Sequence, residues 1–158
     1  MENIKFVPLS DIEKNQVMNL MNNHLVKKHL PLLKGTFSSE HYHNFIQSKQ
    51  DLWRKHGFGP WGFLINGNFA GWGGLQPEQG EADFALVLHP DFWGWGKRIF
   101  DKVKEHAFSE MKLNSITILL PPDRPNSKAV IRMGFQQDGI SMINNDHFLR
   151  FRLLNPTK

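Results

Sequence analysis

The segment from Phe84 to Met111 constrains this chain more than any other. Five apolar residues, Phe84-Ala85-Leu86-Val87-Leu88, run without a polar interruption, a pattern expected of a strand buried on both faces. His89-Pro90 ends the run. Gly94-Trp95-Gly96-Lys97-Arg98 follows, and then Phe100, Val103, Ala107 and Met111 fall at helical spacing. A second apolar run, Ser115–Leu120, stops at Pro121-Pro122. Strand, helix and strand in that order make a crossover within one sheet.

The flanking segments fit strands and helices around this unit. Ile4–Val7 reads as a short strand. Ser10-Asp11-Ile12-Glu13 has capping-box spacing ahead of a helix carrying Val17, Leu20, Met21 and Leu25. A second helix starts near Ser38-Ser39, with Tyr42, Phe45, Ile46, Leu52 and Trp53 on one face, and ends at Gly57-Phe58-Gly59-Pro60. Asn66-Gly67 between Trp61–Ile65 and Phe69–Leu75 predicts a hairpin. A short helix over Asn126–Met133 stops at Gly134, and Phe135–Leu153 reads as two strands around Asn144-Asn145-Asp146. The order is βααβββαβαββ: an α/β (α+β) chain with a mostly antiparallel sheet of six to seven strands and about four helices. At 158 residues it is expected to form a single domain, 1–158.

Composition removes several chemistries. Cysteine is absent, which excludes disulfides, thiolate zinc sites and cysteine nucleophiles. The formal charge of +4 is mild and the basic residues are scattered, so no nucleic-acid partner is expected. No apolar run reaches spanning length and the start lacks a signal-peptide core, so neither a membrane partner nor export is expected; the default location is cytoplasmic. Of the eight histidines, His41 and His43 lie two apart, on opposite sides of a helix, and no metal is expected.

The glycine turn needs a reason. Glycine weakens a helix interior, and cations at a helix start face the positive end of its dipole, at up to about 1 kcal/mol each. An anion there removes both objections, because glycines admit close approach to main-chain amides and first-turn amides point off the helix end. A plain turn with clearance glycines and solvated cations is the competing reading. A dinucleotide fingerprint would need glycine at Ile99, and a P-loop would need Ser or Thr at Arg98.

His89-Pro90-Asp91-Phe92-Trp93-Gly94-Trp95-Gly96 resembles motif A of the GCN5-related N-acetyltransferases (GNATs), in the form typical of the ribosomal-protein N-terminal acetyltransferase branch. Asn126-Ser127-Lys128-Ala129-Val130-Ile131-Arg132-Met133-Gly134-Phe135 is similar to that family's later helix and strand. The resemblance implies acetyl-coenzyme A as cosubstrate, in a gap between the fourth and fifth strands, and an amine acceptor: a protein N-terminus or a small molecule. It implies that amides of Leu86, Val87 and Leu88 pair with the pantetheine arm, and that Gly94, Trp95, Gly96, Lys97 and Arg98 cradle the pyrophosphate. By analogy with that fold, a homodimer is an expectation. Asp91 departs from the family's Gln or Arg and removes a phosphate donor. The later motif is one residue short, so Asp123 or Asn126 takes the family Asn, and Asn126 or Ser127 the Ser; Asn126 counts among the cofactor-binding candidates.

Acyl transfer to an amine needs a proton acceptor, an oxyanion donor and a proton for the leaving thiol. The resemblance puts the base at Asp83, with Glu81 as the alternate on the same strand face. Asp is shorter than the family's Glu, which favours a relaying water. The tyrosine that many members use as acid is Val130 here, and the single tyrosine, Tyr42, lies on a distant helix. Ser127 (or Asn126) is the remaining donor to the sulfur. A coenzyme-binding sensor without turnover and an unrelated nucleotide-binding protein are the competing functions.

Overall fold

The computed structural model describes residues 3–28, 30, 35–122 and 127–157. Strand β1 (Ile4–Val7) precedes helices α1 (Lys14–Asn22), α2 (His24–Lys27) and α3 (Ser39–His56). Three antiparallel strands follow: β2 (Pro60–Ile65), β3 (Asn68–Glu78) and β4 (Glu81–Leu88). Asn66-Gly67 and Gln79-Gly80 supply the positive-φ pairs of the two tight turns between them. A 3-10 turn, Pro90–Trp95, leads into α4 (Gly96–Glu105), which runs on as a π-helical stretch, His106–Glu110. Then come β5 (Ser115–Leu120), α5 (Ser127–Arg132), β6 (Gln136–Ile143) and β7 (Asp146–Leu154).

Two expectations about the helices change. Ser10 sits in a 3-10 turn, Leu9–Asp11, and no side chain caps α1. The Ser10–Glu13 capping box does not form, because Ile12 is extended and buried, and its side chain fills the space over Gly62 of β2. The helix expected through Leu25 breaks at Asn23, whose side chain accepts from the Leu25 and Val26 amides and starts α2. The capping box that does form is Ser38 with His41, at the start of α3, so His41 has a capping role. Gly57 ends α3 with φ 78°.

The seven strands make one sheet in the order β1-β2-β3-β4-β5-β7-β6. On one face, Ile99, Phe100, Val103 and Ala107 pack on Phe63, Ile65, Leu75, Ile116 and Ile118. On the other, Val17, Leu20, Met21 and Val26 of α1 and α2 pack with Trp72 and Val87, and α3 adds Phe45 and Ile46. All neighbouring strands are antiparallel except β4 and β5, which are parallel and register at a single pair, Asp83 with Thr117. Beyond it the two strands part. The run Phe84–Leu88 is therefore not buried throughout, as the sequence suggested: Phe84, Ala85 and Leu86 are half-buried, because the neighbour that would cover them has turned away.

Candidate active site

The gap begins where β4 loses β5. Gly71 and Gly73 of β3 have φ of +155° and +152°, a backbone conformation that aims a side chain at β4. A Cβ on Gly71 would lie 2.0 Å from the Val87 carbonyl oxygen, and one on Gly73 would lie 2.3 Å from that of Ala85. Only glycine fits at these two positions. The contacts also fix which way β4 faces: Ala85 and Val87 turn their carbonyls to β3, and the His89 N–H donates to Ala70 O at 2.8 Å. By strand alternation, Leu86 and Leu88 present their main-chain groups to the gap. Val87 does not, so its amide is removed from the expected ligand-facing set, although its side chain lines the cavity. The Leu88 carbonyl is already taken by the Trp93 indole N–H, at 2.9 Å. A cavity of about 370 Å³ lies here, between Val26 and Leu30 on one side, Leu86–Leu88 on another, and Trp93 and Gly96 at the turn.

The turn itself is tied at its start by His89, whose Nδ1 accepts from the Asp91 N–H at 3.1 Å. Neither Gly94 nor Gly96 has positive φ. A Cβ on Gly94 would meet open space, and one on Gly96 would make only ordinary contact with Leu86 Cδ2 at 3.5 Å. The protein's own packing thus gives no reason for glycine at either position, while Gly96 borders the cavity. Clearance for a ligand is a reason, and the residues present fit a cofactor laid along this edge. The two cations are engaged differently from the sequence expectation. Lys97 pairs with Asp101 at 3.0 Å, and the Arg98 guanidinium lies 4.1 Å from the Trp95 ring centroid. These contacts offset part of the cost at the helix start, so an anion is not required to explain them.

At the base of the gap stands Asp83. Its carboxyl accepts from the Thr117 hydroxyl at 2.7 Å. Burial pushes its pKa up to about 7, against the lowering effect of that hydrogen bond, and the carboxylates of Glu78 and Glu81 push the same way as burial. A neighbouring cavity of about 10 Å³, bordered by Asp83, Thr117, Ser141 and Arg150, has room on the order of one water. Glu81 is in a different state. Arg152 grips both its oxygens, at 2.9 and 2.7 Å, and holds its pKa below the usual range. A carboxylate so paired is a poor proton acceptor, whereas the Asp83 carboxyl is bonded only to the neutral Thr117 hydroxyl among the described residues.

Residues 3–136 match the model of the acetyltransferase (GNAT) domain. The chain belongs to the GNAT acetyltransferase family. Solved structures agree on the fold. An acetyltransferase (GNAT family) from Bacillus anthracis is 17% identical with TM-score 0.72, covering 98% of this chain and 95% of that one. A protein assigned as a ribosomal-protein-serine acetyltransferase from Vibrio cholerae is 15% identical with TM-score 0.70, covering 96% and 93%. A mutant of spermidine N-acetyltransferase SpeG from Vibrio cholerae is 13% identical with TM-score 0.64, covering 98% and 94%. No curated protein matches the chain by sequence.

Other residues of this GNAT domain fall as follows. Val130, at the tyrosine position, is buried in the core. Ser127 opens α5, half-buried, and is not among the residues lining the 370 Å³ cavity. Asn126 and Asp123 lie outside the described residues, as does His29. Trp93, expected beneath the turn, is 47% exposed, because its indole reaches back to β4 along the cavity. Of the tryptophans expected in the core, Trp72 is buried, whereas Trp53 and Trp61 are half-buried. Sequence reasoning missed Thr117, which carries no motif, and Lys49. The Lys49 ammonium donates to Gln76 Oε1 at 2.6 Å and lies over the Phe45 and Trp72 rings, and burial lowers its pKa to about 8.

Proposed function

We propose that this GNAT domain transfers the acetyl group of acetyl-coenzyme A to a primary amine by direct attack, with both substrates bound together. The observation that carries the reading is Asp83: a carboxyl poised to exchange a proton near pH 7, at the point where β4 and β5 part. When bound, the cofactor supplies an acetyl group activated as a thioester. The main chain of Leu86 and the Leu88 N–H would hold its pantetheine arm, and the edge from Gly94 to Arg98 its pyrophosphate.

Asp83 takes the proton from the incoming amine, directly or through a water in the small adjoining cavity. A base of pKa about 7 matches an operating pH near neutrality. An α-amine, with reference pKa near 8, needs this help less than a lysine-like amine near 10.4. Lys49 interacts with the Glu78 carboxylate and Arg152 pairs with Glu81, which offsets acidic charge on this face and favours an acceptor of low charge over a polycation. The acceptor is therefore a protein N-terminus or a small amine of that kind.

The test is acceptor-dependent thiol release across peptides and small amines. Turnover with at least one amine is expected, and Asp83→Asn should lower kcat by about 10²–10⁴-fold with coenzyme affinity unchanged. The buried Val130, where a phenol would serve as acid, favours a second reading: a non-catalytic acyl-coenzyme A sensor. Tight coenzyme binding with no thiol release for any acceptor would establish that alternative.

A further inference from the structure

The pair that closes the base of the gap joins two polar side chains. Thr117 is 2% exposed and donates to Asp83 Oδ1. Its place in β5 is fixed on both sides: Asp83 lies opposite on β4, and Arg152 opposite on β7. A β-branched side chain in a strand has little χ1 freedom, so the hydroxyl is aimed by the backbone itself. Among the described residues no donor reaches Oδ2, and no fully buried side-chain oxygen or nitrogen lacks a partner, so Oδ2 is not sealed inside the protein. One carboxyl oxygen is fixed and the other is left free.

We infer that Thr117 is the positioning residue of the acyl-transfer site: its hydroxyl fixes the rotamer of Asp83 and turns Oδ2 toward the acceptor. This rests on the reading of Asp83 as base. The shorter side chain gives the arrangement its purpose, since Asp lacks the reach of Glu and must be held at one geometry to serve. The same hydrogen bond favours the ionised form and opposes burial, which holds the carboxyl in a range where it can give and take a proton.

The groups facing Asp83 from each element are accounted for. Glu78 comes from β3 and Glu81 from β4; Arg150 comes from β7 and lines the same small cavity; Ser141 comes from β6. Arg152 is committed to Glu81 and Asp138, and Lys49 of α3 to Gln76, the cross-strand neighbour of Asp83. Thr117 is the one neutral donor bonded to the carboxyl among the described residues.

The experiment compares wild type, Thr117→Val, Thr117→Ser and Asp83→Asn. The Asp83 carboxyl is titrated by carbon-13 NMR in the resting protein, with Asp83→Asn giving the assignment, and the pH–rate profile of thiol release is recorded alongside. Thr117→Val should move the Asp83 titration upward by about one pH unit and carry the acid limb of kcat with it, leaving KM for acetyl-coenzyme A unchanged. Rates at pH 7 should fall about fivefold and recover as pH rises. Thr117→Ser, which restores the hydroxyl, should return both to near wild type. An unmoved titration in Thr117→Val overturns the inference, as does a Thr117→Ser variant that behaves like Thr117→Val. A moved titration with Asp83→Asn turning over at the wild-type rate overturns the base reading, and with it the catalytic role given to Thr117. Melting curves check that each variant is folded, and the serine variant keeps the test decisive if the valine variant is not.

Discussion

Asp83 binds its proton more tightly in the folded chain than in the unfolded one, with a folded pKa of about 7 against the ordinary 3.8. Between those values the native state carries more protons, so stability falls as pH rises, by up to about 1.4 kcal/mol per pH unit, and levels off above 7. Lys49 acts in another window. With its pKa lowered to about 8 from 10.5, it adds stability only as pH rises from 8 toward 10.5. Urea unfolding from pH 5 to 7 isolates the first effect. Asp83→Asn should flatten the slope, being more stable than wild type at pH 7 and closer to it at pH 5; an unchanged slope would show that the carboxyl is solvated. The resemblance put Asp83 ahead of Glu81, but the physical ground for that choice was not legible in the sequence. That choice depends on Arg152, 71 residues away from Glu81, which reaches it only across the sheet.

At the scale of elements, glycines of two kinds are separated by their surroundings. Gly73 is fixed by the Ala85 carbonyl, so Gly73→Ala should cost about 2–4 kcal/mol by forcing β3 from β4, measurable by denaturant unfolding. Gly96 has ordinary room for a Cβ, so Gly96→Trp should keep the fold, with a melting temperature within a few degrees of wild type, and weaken coenzyme binding by at least about tenfold on titration. Retained affinity in Gly96→Trp would remove the turn from the binding site. The sequence showed the second kind as an oddity in a motif and passed over the first, because a glycine needed for interstrand approach leaves no periodic signature. The hairpin at Asn66-Gly67 and the end of α3 at Gly57 were legible for the opposite reason: at a turn or a helix end the neighbouring residues signal a positive φ, whereas Gly71 and Gly73 take it within a strand. The capping box at Ser10–Glu13 failed where a tertiary contact, Ile12 over Gly62, outweighed a local one.

For the whole molecule, a ligand that seats in the gap binds the folded chain alone. At a hundred times its dissociation constant, acetyl-coenzyme A should stabilise the protein by about 2.7 kcal/mol and raise its melting temperature by roughly 5–10 °C. A shift with ATP or a dinucleotide and none with coenzyme A would favour the nucleotide-binding alternative. The sequence by itself determined the order of the strands, the crossover and the glycine turn, though not the break at Asn23 that adds a helix, because hydrophobic period and turn chemistry are written in neighbouring residues. Tertiary structure alone decided that β4 and β5 touch at Asp83 and Thr117 and then diverge, which of Leu86, Val87 and Leu88 faces the gap, and which carboxylate stays unpaired with a cation. Those outcomes depend on register and on partners distant in the chain, and strand pairing sets both only when the sheet is assembled.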